Sequence, residues 1–180
     1  WGRAVEPHCR RDETALASAL EAHGIGSEGF AGNLLFAPEM IQNRGGAPFR
    51  VFTPFWKHCL ANGSKMRAPT GPVSPEFSTD LPDGDVLDDW GLLPTHSNWA
   101  AGLKETWQPG EAAGQALLHK FVEKAPRYNT HRNFPAEDAT SRLSPYLHFG
   151  NISAAQAYAA FSASGSEPDQ GAAAFQRAVG

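Results

Sequence analysis

The sequence predicts an α/β N-terminal part followed by an all-α C-terminal part, and three observations carry that prediction. A helical pattern at 12–25 is followed by a short apolar run at 33–38. The stretch 64–97 has no periodicity, and beyond it apolar residues recur only at helical spacing. A helix leading into a strand is one repeat of an α/β sheet, although a single repeat does not by itself establish that fold.

Each element has its own signal. In "DETALASALEAHGI" (12–25), Leu16, Ala19, Leu20 and His23 share one helical face, and Gly24 is placed to stop the helix. "NLLFAP" (33–38) is apolar, short and closed by proline, which reads as a buried strand. "PFRVFTPFWKHCLANG" (48–63) predicts an extended entry and then a helix. Thr53 is its expected N-cap, Pro54 its first residue and Asn62-Gly63 its end. Phe52, Phe55, Trp56, Cys59 and Leu60 give that helix a broad apolar face.

From Ser64 to about Ser97, Pro69, Pro72, Pro75, Pro82 and Pro94 interrupt the chain, as expected of an ordered crossover or a linker. "NWAAGLKETW" and "PGEAAGQALLHKFVEK" follow. Ala113, Leu117 and Phe121 repeat at four-residue intervals with Leu118 and Val122 beside them, and Pro126 is expected to end that helix.

Composition narrows the possibilities. The 180 residues are 41% hydrophobic, enough for a buried core, and no run of eighteen apolar residues offers a membrane span. No signal-peptide pattern occurs in the first residues. Cys9 and Cys59 are the only cysteines and form no metal-like pair, so a reducing, cytoplasmic setting is expected. His8-Cys9 and His58-Cys59 do not make half-sites for zinc, because adjacent helical residues point about 100° apart. No metal is expected. The net charge of −4 is local in origin: Glu76, Asp80, Asp83, Asp85, Asp88 and Asp89 lie in the crossover, and setting these six aside leaves +2. The acidic balance therefore does not argue against a nucleic-acid partner. The chain opens at Trp1 and ends at "FQRAVG" within a helical pattern, so it reads as part of a longer protein.

The densest signals lie in "TSRLSPYLHFGNIS" (140–153). Ser144-Pro145 reads as an N-cap with proline behind it, Gly150 as a stop one turn later, and Ser153 as the N-cap of a helix over 154–163. "RYNTHRNFP" (127–135) adds Arg127, His131 and Arg132 among Tyr128 and Phe134. A phenol at Tyr128, hydroxyls at Thr140 and Ser141, and a helix start at Ser144 suit a diphosphate. Two capped helices without a ligand would show the same residues, and local chemistry leaves both readings open. No Gly-x-Gly-x-x-Gly or Walker loop occurs.

These two segments resemble the start of the flavin-binding domain of the DNA photolyase and cryptochrome family. "VFTPFWK" (51–57), "LPTHSNW" (93–99) and "WQPGEAAGQALLHKF" (107–121) resemble that family in the same order, and "WGRAVEP" (1–7) is similar to a strand end in its antenna domain. Within the family, the details are most similar to bacterial cyclobutane pyrimidine dimer photolyases.

The resemblance implies the C-terminal part of an α/β antenna domain over 1–62, an interdomain crossover over 63–97, and the start of an all-α FAD-binding domain over 98–180. It implies light-driven, FAD-dependent repair of cyclobutane pyrimidine dimers by a deoxyribodipyrimidine photo-lyase, with a cryptochrome-type blue-light photoreceptor as the alternative. Its FAD contacts fall on Tyr128, Thr140, Ser141, Arg142, Leu143 and Ser144, and no catalytic residue falls within the chain. A second antenna chromophore and DNA containing pyrimidine dimers are the implied partners, and a monomer is expected. Two departures stand out. Gly45-Gly46-Ala47-Pro48 lacks the carboxylate that helps some relatives bind folate, and Ala155 stands where many relatives carry arginine.

Overall fold

A computed structural model describes the chain except for residues 33, 64, 65, 67, 72, 73, 81, 82, 94–96, 98, 162–168 and 180. Seven α-helices occur among the described residues: α1 Pro7–Ala22, α2 Phe52–Ala61, α3 Ala101–Thr106, α4 Glu111–His131, α5 Ser144–His148, α6 Ala154–Ala159 and α7 Gln170–Val179. Two 3₁₀ turns, Pro38–Met40 and Leu87–Trp90, lie between them.

The expected strand at 33–38 does not form. Residues 34–36 bend rather than extend, Asn33 lies outside the described residues, and the only β-type pairing among the described residues is one parallel bridge between Gly2 and Phe30. A strand needs a paired segment to satisfy its N–H and C=O groups, and among the described residues this run makes no such pairing. The run still serves the core, since Leu35 is buried.

Helix ends show which local signals dominate. α1 begins at Pro7, five residues ahead of the expected start, because Pro7 fits the first turn without needing a bonded N–H. Gly24 sits just beyond its end with φ +70°, as the sequence predicts. α2 begins at Phe52 with Val51 at the N-cap position, so neither Thr53 nor Pro54 takes its expected place, but Pro54 still falls in the first turn.

α4 runs straight past Pro126 to His131. The expectation that Pro126 ends it is wrong, and tertiary packing explains why. A mid-helix proline costs one backbone hydrogen bond. Here the same stretch is held by burial: Ala125 is 1% exposed, and Tyr128 meets Phe175 of α7 with ring centres 5.8 Å apart.

The main core lies between α4, α5, α6 and α7, around Phe121, Leu118, Leu143, Ile152, Ala157 and Phe175. Phe121 is its centre, 4.7 Å from the Phe175 ring and 6.0 Å from Phe161. Two glycines permit this closeness. A Cβ on Gly114 would lie 3.0 Å from the Tyr146 ring, and one on Gly171 would lie 1.8 Å from the Ala125 carbonyl oxygen.

A second cluster gathers Ile41, Trp56 and Cys59 with Phe36, Phe49, Phe55 and Tyr158. Tyr158 belongs to α6, so this cluster ties the first sixty residues to the helical part through a Trp56–Tyr158 contact at 6.5 Å. Burial pushes both the Cys59 thiol and the Tyr158 phenol above their ordinary pKa values. In contrast, the described crossover residues are almost all exposed, among them Phe77, Val86, Leu87, Trp90 and Leu92.

Candidate functional site

A cleft of about 760 Å³ opens where α5, α6 and α7 meet the end of α4. The sequence places its walls in a simple way. Gly150, at φ +68°, stops α5 after one turn. Ser153 then caps α6 with a reciprocal pair: the Gln156 N–H donates to Ser153 Oγ at 3.1 Å, and the Ser153 N–H donates to Gln156 Oε1 at 2.8 Å. Two helix starts thereby face one volume. α7 closes the opposite side with Phe175, Ala178 and Val179. Leu34 and residues 68–70 complete the rim from the N-terminal part and the crossover.

The structure brings Tyr128, Ser141 and Ser144 together on this cleft, three of the six residues the sequence singles out. Tyr128 is half-buried in the last turns of α4, its ring edge-on to Phe121 at 5.5 Å. Ser141 Oγ accepts a long 3.4 Å hydrogen bond from the Leu143 N–H, and the Ser144 hydroxyl has no partner among the described residues. Both hydroxyls can therefore donate to a ligand.

The other three residues lie elsewhere. Thr140 is exposed and is not among the residues lining the cleft. Leu143 is 1% exposed and belongs to the core. Arg142 turns its guanidinium onto the Trp107 ring, 4.6 Å from the centroid. Ser144 is the first residue of α5 and not its N-cap; that position falls to Leu143, whose side chain is drawn into the core. α6 is described to Ala159, with Ala160 and Phe161 in a turn beyond it, and the further residues expected to continue it, 162 and 163, lie outside the described residues.

Residues that the sequence did not single out also line the cleft, notably Leu147, His148 and Gln156. For His148 the signal is the four-residue spacing from Ser144, which puts both on one face of a helical turn. Ala155 lines the cleft as well, and no lysine or arginine is among the described residues that line it. Neutral hydroxyls and His148 are the polar side chains it offers near α5.

The basic segment 127–132 is helical through His131, as the last turn of α4. His131 pairs with Glu137 at 2.5 Å, and Arg132 lies over the Tyr128 ring at 5.5 Å. Neither His131 nor Arg132 is among the residues lining the cleft. Among the described residues, no group of three or more His, Cys, Asp or Glu side chains could hold a metal ion.

Fold and site together define a helical unit with a hydroxyl-lined cleft, joined through an exposed proline-rich crossover to the N-terminal part. Comparison with known proteins gives that class a family. The DNA photolyase family model matches residues 1–76. A deoxyribodipyrimidine photo-lyase from Agrobacterium fabrum is 36% identical over 86% of this chain and 33% of its own length. Cryptochrome-1 of Arabidopsis thaliana is 31% identical over 79% of this chain and 21% of its own. The crystal structure of a bacterial class III photolyase from Agrobacterium tumefaciens superposes with a TM-score of 0.87 at 33% identity, covering 99% of this chain and 38% of that one. The chain belongs to the DNA photolyase and cryptochrome family. It spans about a third of the length of the photolyases it matches.

Proposed function

We propose that this chain carries the diphosphate-binding part of a deoxyribodipyrimidine photo-lyase, a light-driven, FAD-dependent enzyme acting on pyrimidine dimers in DNA. The observation that carries this reading is the placement of Ser141, Ser144 and Tyr128 on one cleft of about 760 Å³. The fit to FAD rests on donor chemistry. Ser144 has a hydroxyl unpartnered among the described residues and Ser141 an uncommitted proton, and both face a space large enough for a diphosphate. FAD supplies the light-driven electron transfer when bound, and the protein supplies binding and orientation. Ser141 and Ser144 would donate to phosphate oxygens with Tyr128 as the wall beside them, whereas Thr140, which the resemblance also assigns to the cofactor, is exposed and does not line the cleft. The resemblance also assigns Arg142 and Leu143 to the cofactor, but their side chains are engaged elsewhere and only their backbone would be available to it.

On this reading, residues 1–62 are the C-terminal part of an α/β antenna domain, 63–97 the crossover and 98–180 the start of the FAD domain. A second chromophore belongs to the antenna part, by a route other than the folate carboxylate that residues 45–48 lack. By the family resemblance the protein is proposed to be a cytoplasmic monomer; separately, Cys9 and Cys59 are free, and no helix among the described residues is long and apolar enough to cross a membrane.

Replacing Ser141 and Ser144 together by alanine tests the reading. Each hydrogen bond to a charged phosphate contributes roughly 1.5–3 kcal/mol, so flavin affinity should fall at least about a hundredfold. Flavin titration of the intact protein measures it, with circular dichroism to check the fold. Unchanged affinity in a folded variant refutes the site. The relation to a plant cryptochrome supports a second reading, a flavin photoreceptor. Illumination of the intact protein with dimer-containing DNA separates the two, since loss of dimers occurs only for the enzyme.

A further inference from the structure

Arg142 combines two features that local sequence chemistry does not explain. Its backbone is left-handed, at φ +54°, a conformation that side-chain-bearing residues rarely adopt. Its guanidinium is not spent on the neighbouring cleft but lies over Trp107 at 4.6 Å. Its neighbours diverge around it. Ser141 faces the cleft and Leu143 enters the core, so the two residues flanking 142 send their side chains to different surroundings.

Trp107 is itself a fixed platform. It ends α3, its N–H bonded to the Leu103 carbonyl at 2.8 Å, and its ring lies 6.3 Å from that of Tyr146. Tyr146 Oη donates to the carbonyl of Gln108, the next residue, at 2.7 Å. Tyr146 is 5% exposed and packed against Gly114 of α4. The platform is therefore anchored to the core from two sides, and the Arg142 side chain reaches across to it.

We propose that Arg142 is a positioning residue: its guanidinium, latched on Trp107, holds residue 142 in the left-handed conformation and so sets the Ser141 hydroxyl against the cleft. This rests on the reading that the cleft takes the flavin diphosphate. The latch acts through backbone conformation, not through charge on the phosphate, and that distinction is testable. Alanine at 142 keeps the conformational cost and loses the latch. Glycine loses the latch as well but adopts positive φ freely.

Flavin affinity of the intact protein, measured alongside circular dichroism, should fall about tenfold in Arg142→Ala and by a similar factor in Trp107→Ala. The double variant should be no weaker than either single one, because both remove the same contact. Arg142→Gly should bind more tightly than Arg142→Ala, and adding Arg142→Gly to Trp107→Ala should restore affinity toward that of Arg142→Gly alone. A merely structural role would not produce that rescue. Should Arg142→Ala fail to fold, the comparison of Trp107→Ala with Trp107→Ala/Arg142→Gly decides the matter, since glycine at 142 removes the strain. Arg142→Gly as weak as Arg142→Ala, or additive losses in the double variant, would overturn the latch and assign the arginine a direct charge role. If instead the Ser141/Ser144 double variant keeps full affinity, it is the cleft assignment that fails.

Discussion

Gly171→Ala should destabilise the protein by about 2 kcal/mol or more, although alanine is the better helix former. Gly171 is buried in the first turn of α7, directly against the backbone of α4. An added Cβ would lie 1.8 Å from the Ala125 carbonyl oxygen and 2.8 Å from its carbon, whereas real Cβ atoms essentially never approach within 3.0 Å. The helices must therefore part by about 1.2 Å, and the obstacle is backbone, which cannot swing aside. α7 carries Phe175 into the core 4.7 Å from the Phe121 ring. A gap of 0.5–1 Å already forfeits about a quarter to a half of each dispersion contact along the seam. Overpacking of this kind costs about 1–3 kcal/mol and sometimes more, and an obstructing carbonyl places this site at or above the top of that range. Helix propensity returns only about 1 kcal/mol. Urea unfolding followed by circular dichroism measures the balance. Gly102→Ala is the control. Gly102 lies in exposed α3, and among the described residues nothing comes within 4 Å of where its methyl group would stand. There alanine should stabilise by up to about 1 kcal/mol. A Gly171→Ala variant as stable as the wild type would show that α4 and α7 do not cross this closely.

Three further outcomes rest on the same contacts. Phe121→Ala removes the 1%-exposed centre of the core and should cost about 3–5 kcal/mol, read from the urea midpoint; a loss below about 1 kcal/mol would contradict its place in the aromatic cluster. Ala155→Arg adds a cation to the cleft wall and should tighten flavin binding about tenfold at low salt, an effect that added salt diminishes; weaker binding in low salt would argue against an anion there. The Lys124 hydrogen bond, and then its charge, hold the Asp138 carboxyl below its ordinary value of 3.8. The folded-state value is depressed, so this pair stabilises above about pH 4 and its contribution disappears as pH falls through the folded value. Asp138 is largely exposed and Lys124 about one third exposed, so solvent screens the pair and Asp138→Asn should cost under about 1 kcal/mol at pH 7, a cost that should vanish as the carboxyl is protonated in acid. A penalty that grows on acidification would refute this assignment.

Features legible in the sequence are those that neighbours within a few residues can enforce. Gly24 and Gly150 end their helices because each stop needs only a residue tolerant of positive φ. Ser153 caps α6 because its partner, Gln156, is three residues away. The apolar period of α4 marks Phe121 and Leu118 as core from spacing alone.

The remaining features depend on contacts too distant for any local pattern to encode. Pro126 remains inside α4 because α7, starting more than forty residues later, packs against that turn. The apolar run at 33–38 forms no strand because a strand is defined by its partner. The hydroxyls and the arginine of "TSRLS" read alike as ligand contacts, yet Ser141 reaches the cleft while Arg142 goes to Trp107, thirty-five residues earlier in the chain. Residue types announce which chemistry is available, but the direction in which each side chain points is fixed only when the helices pack.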